Sequence, residues 1–546
     1  MPTITFSKKT FDESLGKKLP LEKLSEELEQ LKVEVGKLDE KTGTLTVEVT
    51  GDRADLMSSY GIARALKGRL GIEKGIPAIS LSKPSLEIIA EKEALKFRPV
   101  IVGAVIEGVS LSDDSIASLF AHQEKLDFVV GRKRKRVSIG LYDLDSFTPP
   151  VRFTTISSTG SFLPLKATKK MTCPQILSSH PTGKEYATLL SSAKTRFPVL
   201  EDSKGQILSL VPIINGVSSA VTKKTKRIFI DHTGSDAHAC NASLNNLCQD
   251  FFDAGCKVSR VTVSYPDGEK TTPDTSPQEM RLSVAEVNKT LGTSFTAKQI
   301  CEFLSKQRIN SRIAGDYLDC SIPAFRVDFL HPADLAEEVA LGFGYNNFEV
   351  KRPSVYTTGK LSATTLTENA CRDFMAGAGF TEVSTYIISN PSRISKAMES
   401  DEYAQIINPV SDEYTTMRNS LLPNLLDCLS KNTHSPYPQK VFEVGEVVVP
   451  NARLPERMET QIRVACISCH AESNLSEVAS ILNSFSLSCK KKLYLKKLSS
   501  KQFIEGRSAE VNLDAKTVGK MGEIHPAVLE NFGLQLPCSC FEIIIC

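Results

Sequence analysis

The chain alternates between two hydrophobic periods, and the changes of period outline its elements. Leucines recur every three to four residues from Leu21 to Leu31, which predicts an amphipathic helix. Apolar and polar side chains alternate over residues 45–49, the pattern of a half-buried strand. A second helix is predicted over about residues 58–70. Together these elements predict a small α/β unit over residues 1–82.

The pattern changes after a segment interpreted as a linker, residues 77–88, because Pro77 and Pro84 interrupt it. The elements predicted beyond this segment are strands over residues 100–106, 228–234 and 258–263, and helices near 112–127 and 239–254. They predict a mixed α/β domain over residues 89–272. A second linker, rich in Asp, Thr, Pro and Gly, is predicted over residues 266–277.

Two further domains complete the predicted order. Residues 278–350 are predicted to be a compact helical unit with a short strand pair, because capping-box spacings occur at Ser283–Glu286 and Thr296–Gln299. Residues 352–546 carry several alternating segments between helical ones, which predicts an antiparallel sheet with flanking helices. The predicted class is therefore α+β and multidomain.

One acidic stretch in the third domain suggests chemistry. An extended segment ends at Asp328, and a predicted helix then carries Asp334, Glu337 and Glu338 at positions i, i+3 and i+4. Four carboxylates from two adjacent elements suit Mg²⁺, which prefers hard oxygen ligands. Acidic residues also favour the first turn of a helix, where the helix dipole stabilises them. The spacing leaves both interpretations open.

Composition narrows the classes of protein. The chain has 546 residues and a net charge of +2, without the basic excess of a nucleic-acid coat protein. No run approaches the roughly 18 apolar residues of a membrane helix, and the chain start lacks the basic and apolar regions of a signal peptide. A cytosolic location without membrane contact is expected, and the 14 cysteines are then expected to be mostly buried thiols.

Three local motifs allow structural and functional interpretations. Cys466-Ile-Ser-Cys469-His470 has the spacing of a haem attachment motif but alternates like a core strand, which we favour. The five consecutive cations Arg132–Arg136 can form a solvated loop, a phosphate-contacting loop or a nuclear localisation signal. Asp52, Arg53 and Asp55 are interpreted as a structural turn in which Arg53 pairs with Asp55.

Polar residues also end a predicted strand at Asp231 and Thr233. Open α/β sheets place ligands at such strand ends, although a helix cap after the strand explains the same residues.

Motifs in all four domains together resemble the phenylalanyl-tRNA synthetase beta chain family. They are Asp52-Arg-Ala-Asp-Leu, Val137-Ser-Ile-Gly-Leu-Tyr-Asp, Pro198-Val-Leu-Glu-Asp, Pro212-Ile-Ile-Asn-Gly, Asp231-His-Thr-Gly, Phe325-Arg-Val-Asp, Asp334-Leu-Ala-Glu-Glu-Val, Met417-Arg-Asn-Ser-Leu-Leu-Pro, Phe442-Glu-Val-Gly-Glu, Glu505-Gly-Arg-Ser-Ala and Gly522-Glu-Ile-His-Pro. The short length resembles the archaeal and eukaryotic-cytosolic branch.

The resemblance implies an assembly of two alpha and two beta chains that charges tRNA(Phe) with phenylalanine, using ATP and Mg²⁺. The alpha chain binds ATP and phenylalanine and carries that chemistry, so this chain is expected to contain no catalytic residue for aminoacylation. Its last domain is expected to be similar to a class II synthetase domain without active-site motifs. Arg418 and Arg507 are interpreted as scaffold residues, because the region Gly522–Pro526 lacks the arginine of an ATP-binding motif.

For this chain itself the resemblance implies hydrolysis of mischarged Tyr-tRNA(Phe), in residues 89–272. An apolar pocket rejects a substrate with one added hydroxyl only about 100-fold, so a second site is needed. The candidate editing residues are Ser209, Asn215, Asp231 and Thr233. The segment departs from the family pattern at Val211, His232 and Ser235, where proline, valine and threonine are expected.

The resemblance also favours Asp328, Asp334, Glu337 and Glu338 as Mg²⁺ ligands in a metal-binding domain. Because they lie far in sequence from the editing strands, a structural role for the ion is expected. The alternative to a synthetase subunit is a non-catalytic tRNA-binding or structural paralogue of the beta chain.

Overall fold

The protein divides into two compact units, Met1–Lys351 and Arg352–Cys546. The computed structural model describes residues 2–39, 41–352 and 356–545, without the side chains of residues 113 and 114. Helices and strands occur throughout both units, which confirms the mixed α/β, multidomain class. None of the described helices is long and apolar enough to cross a membrane.

The first unit begins with a three-stranded antiparallel sheet covered by helices. Its elements are β1 (Thr3–Ser7), α1 (Lys8–Leu15), α2 (Leu21–Glu29), β2 (Val33–Asp39), β3 (Thr44–Val49) and α3 (Ser59–Arg69). The strand order is β1-β3-β2. The leucine-rich helix and the alternating strand that the sequence predicts are α2 and β3. Leu24 and Leu28 of α2 and Leu45 of β3 are completely buried in one core, whereas Leu21 at the start of α2 is exposed.

A ten-stranded sheet forms the centre of the first unit. Its elements and neighbours are β4 (Leu81–Ala90), α4 (Lys92–Leu95), β5 (Val100–Glu107), α5 (Asp113–Val129), β6 (Val137–Asp143), β7 (Val151–Ser157), the separate pair β8 (Ser161–Phe162) and β9 (Met171–Thr172), α6 (Cys173–Ser179), α7 (Pro181–Tyr186), β10 (Arg196–Glu201), β11 (Ile207–Leu210), β12 (Ile214–Asn215), β13 (Arg227–Gly234), α8 (Ala237–Asp253), β14 (Lys257–Tyr265) and β15 (Gly268–Thr272). The order is β12-β11-β10-β7-β4-β14-β5-β13-β6, with β15 paired to β14.

Both predicted linkers are wrong in part, because strands of this sheet occupy them. Strand β4 begins at Leu81 and runs parallel to β14. The register shifts there, so that the three residues around Pro84 lie opposite Arg260 alone. This bulge accommodates a proline that cannot donate a ladder hydrogen bond. In the second predicted linker, β15 forms a hairpin with β14.

The segment predicted to be a helical unit with a strand pair contains three helices and a three-stranded sheet. Its elements are β16 (Gln278–Ser283), α9 (Val284–Leu291), α10 (Ala297–Lys306), β17 (Asn310–Ala314), β18 (Tyr317–Ile322) and α11 (Pro332–Phe343). The three strands pair in the order β16-β18-β17. The predicted strand pair is found as β17 and β18, and β16 is a third strand that the sequence analysis did not predict. Thr296 and Gln299 form the predicted capping box of α10.

The second unit is built on a seven-stranded sheet. Its elements are α12 (Ala363–Gly377), β19 (Thr381–Glu382), β20 (Ile388–Ser389), α13 (Pro391–Lys396), β21 (Thr416–Met417), α14 (Leu422–Lys431), β22 (Gln439–Pro450), β23 (Met458–Cys469), α15 (Leu475–Ser488), β24 (Leu493–Lys497), β25 (Phe503–Leu513), β26 (Lys516–Ile524), α16 (Pro526–Asn531) and β27 (Cys538–Ile544). The order is β19-β22-β23-β27-β26-β25-β24. Only the pairing of β19 with β22 in this sheet is parallel.

The cysteine motif of the second unit lies in this sheet. Cys466 and Cys469 are buried residues of β23, as the alternating pattern predicted. Burial raises the pKa of the Cys466 thiol, so this side chain stays protonated and apolar at neutral pH.

Candidate functional site

Strand β13 carries two of the candidate editing residues, Asp231 and Thr233. It lies between β5 and β6 in the large sheet. Asp231 lies opposite Gly140 of β6, and Thr233 lies opposite Ser138. Successive side chains of a strand point to opposite faces. Asp231 and Thr233 therefore share one face with Phe229, which packs in the core beneath β10 and β11.

The other face of β13 carries His232, which is completely buried. Its neighbours in alternation, Ile228 and Ile230, pack against α8. Burial lowers the pKa of His232 to about 3, so its imidazole is neutral at physiological pH. The departure from the family pattern at this position therefore does not touch the candidate cluster.

A tyrosine that the sequence analysis missed connects the cluster. The Tyr142 hydroxyl donates to Ser209 Oγ at 2.9 Å. Tyr142 also contacts the Asp231 carboxyl group. A Cβ atom added to Gly140 would lie 2.1 Å from Asp231 Oδ1 and 2.4 Å from the Tyr142 hydroxyl oxygen. Glycine at this strand position is what allows the two side chains to meet.

The remaining candidates flank this contact. Asn215 lies opposite Ser209 in the β11–β12 ladder, and its Nδ2 donates to the carbonyl of Leu141 at 3.1 Å. Thr233 Oγ1 lies 3.5 Å from Ser138 Oγ, one pleat further along β13. The structure thus brings Ser209, Asn215 and Asp231 together around Tyr142, with Thr233 beside them. Asn215 is the part-exposed member of the set and marks its solvent side.

Burial controls the charge of the cluster. It raises the pKa of Asp231 to about 7, against the lowering effects of Tyr142 and Arg98. Asp231 Oδ1 has no hydrogen-bond partner among the described residues. A carboxyl group with a pKa near neutrality can accept a proton from water and return it. The arrangement can therefore support hydrolysis, with hydroxyl and amide groups beside it to hold a polar substrate.

Two carboxylates of the predicted metal site contact an arginine. The Arg326 guanidinium lies between two of them, at 2.8 and 2.6 Å from the oxygens of Asp328 and 2.6 Å from Glu338 Oε1. Burial acts to raise the pKa of Asp328, but the adjacent Arg326 outweighs it and holds that pKa below its usual value.

The predicted turn at Asp52–Asp55 joins the same site. Arg53 Nε donates to Asp55 Oδ1 at 2.8 Å, which confirms the predicted ion pair. Arg53 also lies 3.8 Å from Glu338 Oε1.

The other two predicted ligands have separate partners. The Glu337 carboxylate pairs with Lys32, which lies in the turn directly before β2. Asp334 Oδ2 accepts from the backbone amides of Leu330 and His331, so Asp334 caps the N-terminus of α11.

The four carboxylates therefore do not form one set of ligands in this structure. Among residues 2–39, 41–352 and 356–545, no group of three or more His, Cys, Asp or Glu side chains is placed to hold a metal ion. In this arrangement Arg326 pairs with Asp328 and Glu338, and Lys32 pairs with Glu337. Mg²⁺ binding by the four residues stays a prediction. Leu335 and Val339 of α11 are completely buried.

The two arginines considered as phosphate ligands both have structural partners. Arg418 is buried, and it donates to Glu443 Oε1 and to the carbonyl of Glu446, each at 2.7 Å. Arg507 donates to Glu523 Oε2 at 2.7 Å from a more exposed position. These contacts fit the interpretation as scaffold residues.

Two segments of the chain match family models of known proteins. Residues 280–345 match the tRNA synthetase B5 domain, and residues 349–545 match the phenylalanyl tRNA synthetase beta chain CLM domain. These matches define a subunit of the aminoacyl-tRNA synthetase class.

Similarity over the whole chain makes the assignment specific. The phenylalanine--tRNA ligase beta subunit of Archaeoglobus fulgidus is 38% identical over 91% of this chain and 90% of its own length. That of Pyrococcus furiosus is 32% identical over 100% of this chain and 99% of its own. A solved N-terminal fragment of the phenylalanyl-tRNA synthetase beta subunit from Pyrococcus horikoshii has 32% identity and a TM-score of 0.60, covering 63% of this chain and 99% of the fragment. The chain belongs to the phenylalanine--tRNA ligase beta subunit family.

Proposed function

We propose that this chain is the beta subunit of a phenylalanine--tRNA ligase. It assembles with an alpha chain, two of each, and supports the ATP-dependent charging of tRNA(Phe) with phenylalanine. The observation that carries the proposal is the 38% identity to a beta subunit over 91% of the chain. In this proposal the partner alpha chain supplies the sites for ATP and phenylalanine. The contact of Arg418 with Glu443 supports a scaffold role for this arginine.

Co-expression with the alpha chain tests this proposal. We expect a complex of equal stoichiometry that exchanges pyrophosphate into ATP when phenylalanine is added, whereas this chain alone does not. Exchange by this chain alone would contradict the division of labour. Failure to bind the alpha chain would instead favour a tRNA-binding or structural paralogue.

We further propose that the cluster around Tyr142 hydrolyses mischarged Tyr-tRNA(Phe). Asp231 takes a proton from the water that attacks the ester carbonyl, for which a pKa raised to about 7 is suited. Thr233 holds the substrate, and the side chains of Ser209 and Asn215 provide polar contacts for the tyrosyl hydroxyl. A site that binds this hydroxyl achieves the discrimination that a phenylalanine pocket lacks.

Deacylation of Tyr-tRNA(Phe) by the alpha–beta complex tests the cluster. We expect Asp231→Asn and Thr233→Ala to lower hydrolysis at least tenfold while phenylalanine charging is kept. His232→Val is the matched control: it changes the same strand but the opposite face, and restores the residue typical of the family. Unchanged hydrolysis in the Asp231 and Thr233 variants would refute the assignment.

Magnesium binding at Asp328, Asp334, Glu337 and Glu338 stays a prediction that the family resemblance supports. An ion there has to displace the guanidinium of Arg326 and the ammonium of Lys32. The metal content of the dialysed complex, and its thermal stability with EDTA and with added Mg²⁺, test the prediction. Replacing Glu337 and Glu338 with glutamine is expected to lower stability or assembly more than editing.

A further inference from the structure

The loop between α5 and β6 contains five consecutive cations, and the structure separates them into two sets. Arg134 and Arg136 are anchors. Arg134 donates to the carbonyl of Ile213 at 2.7 Å, and its guanidinium carbon lies 4.3 Å from the centre of the Tyr186 ring. Arg136 donates to Asp236 Oδ2 at 2.7 Å. These two cations are held by the fold and hold the loop in place.

The other three cations, Arg132, Lys133 and Lys135, are exposed. Within the described part of the chain, none of them has a carboxylate partner. Phe128, at the end of α5, is 60% exposed, and Lys133 Nζ lies 5.6 Å from the centre of its ring. We call these four residues the basic loop patch. It combines unpaired positive charge with an exposed aromatic face.

The patch is joined to the candidate editing strand by one buried arginine. Arg98 donates to the carbonyls of Arg134 and Lys135 at 2.9 and 3.1 Å, and to the carbonyl of Thr233 at 2.6 Å. The amide of Ser235 also donates to the carbonyl of Arg136 at 3.1 Å. The backbone that presents the cations is therefore fixed relative to the end of β13, where Thr233 lies.

We propose that the basic loop patch binds the phosphate backbone of RNA and guides the acylated end of the tRNA to the cluster around Tyr142. This inference rests on the proposed editing function. Lysine and arginine bind phosphate oxygens without reading sequence, and an aromatic side chain stacks on any base. The net charge of the whole chain is only +2, so attraction of RNA requires a local concentration of cations such as this one. An exposed phenylalanine beside the cations favours a nucleic acid over an acidic protein surface.

Binding of a tRNA(Phe) transcript by the full chain, measured over about 50 to 300 mM salt, tests the proposal. Replacing Arg132, Lys133 and Lys135 with alanine is expected to flatten the slope of log affinity against log salt by about 2 and to weaken binding at least tenfold at the lowest salt. The matched control replaces Lys9, Lys17 and Lys18, which are exposed in the N-terminal sheet unit, and removes the same charge. It should leave both quantities unchanged.

A second variant protects the test against misfolding. Arg132→Lys with Lys133→Arg and Lys135→Arg keeps every charge and should bind like the wild type. If the alanine variant binds RNA like the wild type, or if the control weakens binding equally, the patch is not an RNA site. Retained RNA binding with lost assembly with another protein would show that the surface docks an acidic protein, which also overturns the proposal.

The deacylation assay separates this proposal from the editing proposal. The alanine variant should raise KM for Tyr-tRNA(Phe) and leave kcat unchanged, because the patch does not contact the reacting ester. If the wild-type complex hydrolyses no Tyr-tRNA(Phe) but the salt dependence behaves as expected, the editing function fails and RNA binding by the patch stands. If hydrolysis is present but the alanine variant has wild-type KM and RNA affinity, the patch fails and the editing site stands.

Discussion

The raised pKa of Asp231 predicts how the stability of the fold depends on pH. Burial raises its folded-state pKa from 3.8 to about 7. A carboxyl group with a raised pKa binds more protons in the folded state than in the unfolded one between these values. Its contribution to stability is therefore complete below about pH 4 and is lost as pH rises to 7. Asp231→Asn removes the ionisable group and keeps the shape of the side chain.

The magnitude follows from the two pKa values. A difference of roughly 3 units at about 1.4 kcal/mol each corresponds to about 4 kcal/mol of stability lost between pH 4 and 7. Between pH 5 and 6, Asp231 should lower the free energy of unfolding by about 1.4 kcal/mol for each unit of pH. Burial also raises the pKa of Asp127 to about 7, so the Asp231→Asn variant keeps one group of this kind. Tyr142 and Arg98 are the other ionisable neighbours.

A local measurement is required, because a chain of two units need not unfold in one step. Hydrogen exchange of the amides of β13 reports the stability of this strand. Wild type and Asp231→Asn are compared at each pH, so that intrinsic exchange cancels. The variant should lose less protection between pH 5 and 7, whereas Asp316→Asn, at an exposed aspartate, should behave like the wild type. Equal pH dependence in Asp231→Asn and wild type would refute the argument.

Three other substitutions have defined outcomes. Arg326→Met removes the guanidinium that donates to both Asp328 and Glu338 and should destabilise the first unit by about 3 kcal/mol; wild-type exchange of the α11 amides would contradict this. Gly140→Ala places a Cβ 2.1 Å from a carboxylate oxygen and should abolish Tyr-tRNA(Phe) hydrolysis in a chain with unchanged circular dichroism, so retained hydrolysis counts against the cluster. Arg418→Met removes the partner of buried Glu443 and should destabilise the second unit by about 3 kcal/mol, read from exchange in β22; an unchanged rate would show that the pair is not stabilising.

Hydrophobic periodicity predicted where individual helices and strands lie better than it predicted which strands pair. The helix α2 and the strand β13 lie where their patterns placed them. The sequence pattern did not predict strand β4, because Pro77 and Pro84 indicate a loop when only neighbouring residues are considered. Only the pairing of β4 with β14, from a segment more than 150 residues away, shows that a bulge accommodates Pro84.

Contacts between distant segments also determine the two candidate sites, and local patterns do not show them. Tyr142 belongs to an alternating strand, where a tyrosine usually indicates core, and only the register of β6 on β13 brings it to Asp231. A glycine within that strand was the one local signal of a close approach. In the acidic stretch, spacing fixed which carboxylates lie on α11. It could not show that Lys32, from the first domain, pairs with Glu337.

The two acidic sites show how a buried carboxyl group can be assigned a role. Asp55, Asp328 and Asp231 are all strongly withdrawn from water, so burial alone raises the pKa of each. Asp55 and Asp328 contact guanidinium groups, and the net result is a pKa below the usual range. Such paired charges join segments of a fold, and losing one partner is costly. Among the residues that the structure describes, no guanidinium contacts Asp231, and burial raises its pKa towards neutrality. A carboxyl group left unpaired at this depth destabilises the fold at neutral pH, which a structural role does not explain. The charge partners, more than the number of carboxylates, therefore favour β13 over α11 as the place of the proposed hydrolysis.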